Sequence, residues 1–165
     1  MDLLYTRNDL AKYIAAQPNA PKDYDIAVAI LIFTDDDKVV LLERGPKARD
    51  GQGQLEGVGG ALEGEENLID GLQREIQEEI GEVVVSIEQF FGVKFLMGQH
   101  GKYWAVVEHA GRLQSGTPRV MEPDKTSAVK LVAFAEMDGA NLTSYQMRGL
   151  EMYREEFGNK PYYRL

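Results

Sequence analysis

The stretch at residues 60–81, GALEGEENLIDGLQREIQEEIG, decides how the rest of the chain is interpreted. In a helix, Glu75, Glu78 and Glu79 fall at positions i, i+3 and i+4, so their carboxylates share one face. Like charges at i,i+4 oppose helix formation by roughly 0.2–0.5 kcal/mol per pair. Carboxylate oxygens are also the ligands that hard divalent cations prefer. The stretch therefore predicts a helix that carries a metal site.

The same helix also has an apolar stripe, which predicts that one side packs on a core. The stripe follows spacings of three, four and four residues at Ile69, Leu72, Ile76 and Ile80. Gly71 costs about 1 kcal/mol against alanine, and we expect the helix to pass close to a sheet there. Gly81 predicts a left-handed stop at the helix end. Gly59 and Gly60 are expected to give backbone freedom in a loop before the helix.

These residues resemble the Nudix box, the signature of the Nudix hydrolases. Its pattern is Gly, five residues, Glu, seven residues, then Arg-Glu-aliphatic-any-Glu-Glu-any-Gly-aliphatic. The matching positions are Gly60, Glu66, Arg74, Glu75, Ile76, Glu78, Glu79 and Gly81. Glu82 departs from the final aliphatic position, and Val58 stands where many members carry proline. A solvated acidic helix face is the alternative, but it does not explain the glycines and the arginine at these offsets.

The resemblance implies an α/β fold, a Nudix-type α/β/α sandwich with a mixed sheet. It also implies that Glu75, Glu78 and Glu79 bind Mg²⁺, with Mn²⁺ as the alternative ion. The backbone carbonyl of Gly60 or Gly59 joins these ligands in the family. The number of metal ions stays open.

Two further roles follow from the resemblance. Arg74 pairs with Glu66 in the family and holds the loop against the helix, so it is not expected to touch substrate. Such a contact orients the groups that bind the metal. The general base stays open between Glu78, Glu79 and a carboxylate from elsewhere, such as Glu122.

Composition and charge exclude several classes of protein. The chain has 165 residues, 44% of them hydrophobic, and is most simply one Nudix domain spanning 1–165. It has no cysteine, which excludes disulfides and cysteine-based zinc sites. No apolar run approaches the ~20 residues that span a bilayer, so we expect a cytoplasmic protein with no membrane partner. The net charge of −9 without a basic patch argues against nucleic acid as a partner.

The termini are predicted to be helical. A short helix near 8–17, with Asn8 or Asp9 as N-cap, forms an N-terminal extension over about 1–22. This extension is a lid, a dimer contact or a packed appendage. Near the other end, Ser144 is predicted to cap a helix over 144–157 that buries Met147, Leu150 and Tyr153 and stops at Gly158. The aromatic tail after it packs on the domain or reaches a second copy, which leaves a homodimer open.

Between these helices the chain reads as strands. They are predicted at 25–33, 39–44, 54–58, 83–97 with a bend at Gly92, 103–110 and 128–134. Residues 112–128 are predicted to be a loop. The acidic run at 35–37 predicts a hairpin turn and no metal cluster.

Four further side chains are candidates for contact with substrate. Arg44, Lys47 and Arg49 lie in or beside a glycine-rich loop and can bind phosphate oxygens; a solvated loop is the alternative. Trp104 can stack on a base, although cross-strand packing is more common for an aromatic residue on a strand. His109, near a strand end, is expected to be an ordinary surface residue.

These features lead to one main hypothesis and three alternatives. The main hypothesis is an Mg²⁺-dependent hydrolase that cleaves a phosphoanhydride bond of a nucleoside diphosphate linked to another moiety. A nucleoside triphosphate is favoured because the chain is small and because the segment that begins at Glu122 resembles one in triphosphate-cleaving members. The alternatives are an ADP-ribose or sugar-nucleotide pyrophosphatase, an idle Nudix domain that senses a ligand, and an acidic interaction module. The intact glutamates argue against an idle domain.

Overall fold

The computed structural model describes residues 2–162, and a mixed seven-stranded sheet lies between its helices. This arrangement confirms the predicted fold class. A 3₁₀ helix at Phe134–Gly139 precedes the last α-helix. The other elements are α1 (Arg7–Ala15), β1 (Tyr24–Phe33), β2 (Lys38–Arg44), β3 (Leu55–Glu56), β4 (Val58–Ala61), α2 (Leu68–Ile80), β5 (Val84–Met97), β6 (Tyr103–Ser115), β7 (Thr126–Ala133) and α3 (Ser144–Phe157).

Strand β1 is the centre of the sheet. It runs parallel to β6 along its whole length, and β6 in turn pairs antiparallel with β5. On its other side β1 pairs with β4 at residues 27–30, but it meets β2 only at Phe33. Strand β2 continues the sheet with β3 and β7 as its partners. The same edge of β1 therefore pairs with two strands, first β4 and then β2, and the sheet branches at this point.

Two apolar cores lie on opposite faces of this sheet, because successive side chains of a strand point to opposite faces. Ile30 and Ile32 of β1 belong to the core that α1 and α2 cover. Leu31 and Phe33 belong to the second core, which α3 and the 3₁₀ helix cover. This alternation produces the predicted helix–sheet–helix layering.

The N-terminal helix is confirmed, but its cap was predicted wrongly. Thr6 is the N-cap, and its side chain and that of Asp9 form a reciprocal capping box. Leu10 and Ile14 are buried in the same core as α2, and the Tyr13 ring packs edge-on against Phe90. These contacts favour the packed appendage over a lid.

Several other boundaries differ from the predictions for local reasons. The predicted strand 54–58 is two short strands, β3 and β4, which pair with different partners. Strand β6 runs on to Ser115, because β5 pairs with it to that point, so the loop after it is shorter than predicted. Helix α3 is capped by Thr143, and Met147 is 54% exposed, since the buried face turns Gly149 and Leu150 inward. In α2 the fully buried stripe starts at Leu68 rather than Ile69.

We predict that Leu72→Ala lowers the free energy of unfolding by about 2–5 kcal/mol, because Leu72 is completely buried between α2 and the sheet. Urea unfolding of the purified variant measures this loss. Gln73→Ala, at the exposed neighbouring position, is the control and should change stability by less than about 0.5 kcal/mol. Equal effects of the two substitutions would contradict the assignment of this face to the core.

Candidate active site

Gly59 and Gly60 lie in β4, not in a loop, and they are needed for close approach rather than for backbone freedom. A Cβ at Gly59 would stand 2.3 Å from the carbonyl oxygen of Val28 on the paired strand. A Cβ at Gly60 would stand 2.4 Å from a carboxylate oxygen of Glu75. Any side chain at these positions would push α2 away from β4. The two glycines therefore let the glutamates of α2 reach the sheet.

Arg74 ties the loop before α2 to the helix. Its Nε and Nη2 donate to the two carboxylate oxygens of Glu66 at 3.0 and 2.7 Å, and Nη2 also donates to the carbonyl of Ala61 at 2.9 Å. This contact confirms the predicted pairing. The hydrogen bonds from Arg74 lower the pKa of Glu66 to about 2. Gly71 gives room to this loop, since a Cβ there would meet Leu62 at 2.3 Å; the expected sheet contact is wrong.

The second terminal nitrogen of Arg74 makes contacts that the sequence did not predict. Its Nη1 donates to Glu75 at 2.9 Å and to Glu78 at 3.1 Å. Two of the three carboxylates expected to bind metal are thus paired with the same guanidinium in this structure. In the absence of another cation, Arg74 offsets part of the repulsion between them.

Glu79 is half-buried and lines the cleft. Burial raises its pKa well above the ordinary value, and the negative charges of Glu56, Glu75 and Glu122 raise it further. A hydrogen bond from the Gly59 N–H to Oε1, at 2.7 Å, acts in the opposite direction. Burial also raises the pKa of Glu75. These carboxylates share a region of negative charge that Arg74 neutralises only in part.

This donor set fits a hard divalent cation. It consists of carboxylate oxygens beside β4, and such groups are stabilised when a cation neutralises them. As the side chains stand, no three acidic or histidine side chains within residues 2–162 are arranged to hold an ion. Glu75 and Glu78 point to Arg74 instead. Ion binding would require these two side chains to turn from Arg74.

One cleft of about 660 Å³ brings most of the predicted residues together. Acidic side chains from α2 and from the loop before β7 lie in its wall together with basic side chains from the loop after β2. The predicted residues that line it are Arg44, Lys47, Arg49, Gly60, Glu75, Glu78, Glu79, Trp104 and Glu122. Glu66 and Arg74 do not line the cleft themselves, but their contacts fix the loop before α2 against the helix. Lys125 also lines the cleft and pairs with Glu122 at 3.1 Å.

Two residues of the cleft, Glu56 and Tyr145, were missed by the sequence analysis. Arg44 donates to Oε1 of Glu56 at 2.7 Å and to a side-chain oxygen of Asp50 at 2.9 Å. The Tyr145 hydroxyl donates to the other oxygen of Glu56. Tyr145 lies 89 positions from Glu56 in the chain, so no local pattern relates the two. The sequence signal that could have identified Glu56 as a cleft residue is its position just before the Gly59-Gly60 pair.

His109 is completely buried, and the expectation of a surface residue is wrong. Its Nδ1 lies 3.1 Å from the carbonyl oxygen of Ala29 on the neighbouring parallel strand. Burial lowers its pKa to about 4. His109 does not line the cleft.

Comparison with known proteins agrees with this geometry. The NUDIX domain family profile matches residues 23–155, whereas no curated protein matches the sequence. The MutT Nudix hydrolase of Burkholderia pseudomallei superposes with a TM-score of 0.66 at 25% identity, covering 79% of this chain and 98% of that one. Among the helices of residues 2–162, none is long and apolar enough to cross a membrane.

Two further structures share the fold at lower identity. The Nudix domain of Shewanella oneidensis NrtR, solved with ADP-ribose, has a TM-score of 0.66 at 20% identity and covers 88% of this chain and 97% of that one. A UDP-X diphosphatase has a TM-score of 0.61 at 20% identity and covers 96% of this chain and 75% of that one. Because the family profile spans most of the sequence and the glutamate helix occupies the predicted place, this chain belongs to the Nudix hydrolase family.

Proposed function

We propose that this protein is an Mg²⁺-dependent hydrolase, with Mn²⁺ as the alternative ion, that cleaves a phosphoanhydride bond in a nucleoside diphosphate linked to another moiety. Nucleoside triphosphates are the favoured substrates. The observation that carries the proposal is the cleft in which several glutamates, most of them half-buried, face basic side chains. The glutamates alone would repel a polyphosphate. Cations bound to them, together with the arginine and lysine side chains, would neutralise its charge.

The residues of the cleft have different proposed roles in this reaction. Glu75, Glu78 and Glu79, with the Gly60 carbonyl, would hold the cation, which supplies charge neutralisation for phosphate oxygens and a more nucleophilic water. Arg44, Lys47, Arg49 and Lys125 lie where they can bind the remaining phosphate oxygens; all line the same cleft. Trp104 lies there too and offers a face for stacking. The general base stays open between Glu78, Glu79 and Glu122, which all line the cleft.

Two alternatives remain, and one of them has specific support. The similarity to an ADP-ribose complex and to a UDP-X diphosphatase supports ADP-ribose or a sugar nucleotide as substrate. A Nudix domain that only senses its ligand would bind in the same cleft without cleavage. The triphosphate is favoured because the segment that begins at Glu122 resembles one in triphosphate-cleaving members, and Glu122 lies in the cleft wall.

The proposal predicts strict dependence on a divalent cation. The protein should release phosphate or pyrophosphate from a panel of nucleoside triphosphates, ADP-ribose and UDP-sugars with Mg²⁺ or Mn²⁺, and not in EDTA. Full activity after exhaustive chelation would contradict the metal role. Tight binding without turnover would support the sensor, and the best-cleaved compound identifies the substrate class.

For Arg74→Ala we predict both a loss of activity and a lower melting temperature, because Arg74 holds Glu66 and the loop against α2. Removing one partner of such a network should cost about 1–3 kcal/mol. Calorimetry and initial rates on the same sample measure the two effects. Arg148→Ala is the control, since Arg148 pairs with glutamates on the exposed face of α3. An Arg74 variant as stable and active as this control would exclude the role.

For Glu79→Gln we predict opposite effects on rate and on stability. The rate constant kcat should fall by about 10²-fold or more, because a charged group is lost from the metal face. The metal-free protein should become more stable at pH 8. A carboxyl whose pKa is raised by folding destabilises the folded state increasingly as pH rises from its ordinary value toward the raised one.

The gain in stability should therefore disappear near pH 4, where Glu79 is protonated in both the folded and the unfolded protein. Melting temperatures in EDTA at the two pH values measure this difference. Glu82→Gln is the matched control, because Glu82 is exposed and lies outside the cleft. A Glu79 variant with unchanged kcat at saturating Mg²⁺ would remove Glu79 from the mechanism.

A further inference from the structure

A second, smaller cavity of about 190 Å³ opens from the cleft. The two spaces share part of their walls, including Glu56, Gly60 and Tyr145. The remaining wall is made mainly of small or apolar residues of β1, β5 and β6, such as Ala29, Leu96 and Val106, with Lys94 and Gln146 among them. An apolar space with a few polar groups is typical of a site for an uncharged ring.

Lys94 is a buried lysine in this wall, with 7% of its surface exposed. Its Nζ donates to the carbonyl of Tyr145 at 2.8 Å and forms an ion pair with Glu108 at 2.5 Å. An ammonium group has three N–H donors. With two directed to these partners, one donor is left for a group in the cavity.

Gln146 adds further donors to the same wall. Its Oε1 accepts the backbone N–H of Gly57 at 2.7 Å, which orients the amide so that Nε2 is the free end. Nε2 carries two N–H groups and has no partner among residues 2–162. Glu56 is the acidic residue of this wall, and its two oxygens already accept hydrogen bonds from Arg44 and from Tyr145. The free polar groups that Lys94 and Gln146 offer the cavity are donors.

We propose that Lys94 and Gln146 determine base specificity: they select a nucleotide whose ring presents hydrogen-bond acceptors. This inference rests on the proposed function of the adjoining cleft. Guanine has two neighbouring acceptors, O6 and N7, whereas adenine carries an amino donor in place of O6. The amino group of adenine would face donors, and the buried donors would lose their partners. A 6-keto purine is thus preferred to a 6-amino purine.

Lys94 also connects β5 to the start of α3, so its substitution alone does not distinguish specificity from structural support. The test therefore uses the ratio of two affinities in one protein, because a general loosening of α3 weakens both ligands alike. GMP and AMP are the probes. They contain no phosphoanhydride bond, so calorimetry measures their dissociation constants without turnover.

The wild-type protein should bind GMP about ten-fold or more tightly than AMP. Gln146→Glu keeps an oxygen for the Gly57 N–H but replaces the free donors by an acceptor, so the preference should disappear or reverse. Gln114→Glu, at an exposed position on β6, adds the same charge elsewhere and should keep the wild-type ratio. Equal binding of GMP and AMP by the wild type, a preference for AMP, or no GMP binding would overturn the proposal.

A second variant tests Lys94. Lys94→Met combined with Glu108→Gln removes both charges of the buried pair, so that no unpaired charge is left behind. It should weaken GMP binding more than AMP binding; equal weakening of both would assign Lys94 to structural support and overturn its part in specificity. Hydrolysis is measured separately. Selective GMP binding with no cleavage of any compound would reject the hydrolase proposal and leave base selection supported.

Discussion

The contacts of the Arg74 guanidinium are the constraint on which the site depends. One side chain holds Glu66 and the Ala61 carbonyl of the preceding loop, and it also holds Glu75 and Glu78 of its own helix. The loop, the strand before it and the glutamate face are thereby fixed relative to one another. Because a guanidinium keeps its charge, any dependence of this arrangement on pH comes from the carboxylates around it.

The glutamate face is costly to the protein without a cation, and the structure shows how that cost is limited. Arg74 pairs with two of the carboxylates, and the Gly59 N–H binds the third, Glu79. The raised pKa of Glu79 shows that the ionised carboxylate still destabilises the folded protein. A site of this kind binds a cation favourably because the ion replaces repulsion with attraction. The same carboxylates that serve function therefore lower the stability of the metal-free protein.

Helix α3 completes the site from the other side of the sheet. Its first turn supplies Tyr145, which with Arg44 holds Glu56, and Gln146, which binds the Gly57 N–H. The buried Lys94 fixes the carbonyl of Tyr145. The segment just before Gly59 and Gly60 is thus held by the start of α3 and by Arg44 of β2, and the smaller cavity lies at this junction.

The sequence by itself determined the glutamate helix and the layered fold, because those features depend on local periodicity and on the order of the elements. The pairing of Arg74 with Glu66 was implied by the resemblance to the Nudix box. Arg44, Trp104 and Glu122 were also predicted, and tertiary structure placed them in one cleft with the helix. Sequence could not determine that Gly59 and Gly60 lie in a strand, that His109 is buried, or that Glu56 meets Tyr145. Each of these depends on which strand or helix lies opposite, at separations of up to 89 residues, and only the folded chain decides that.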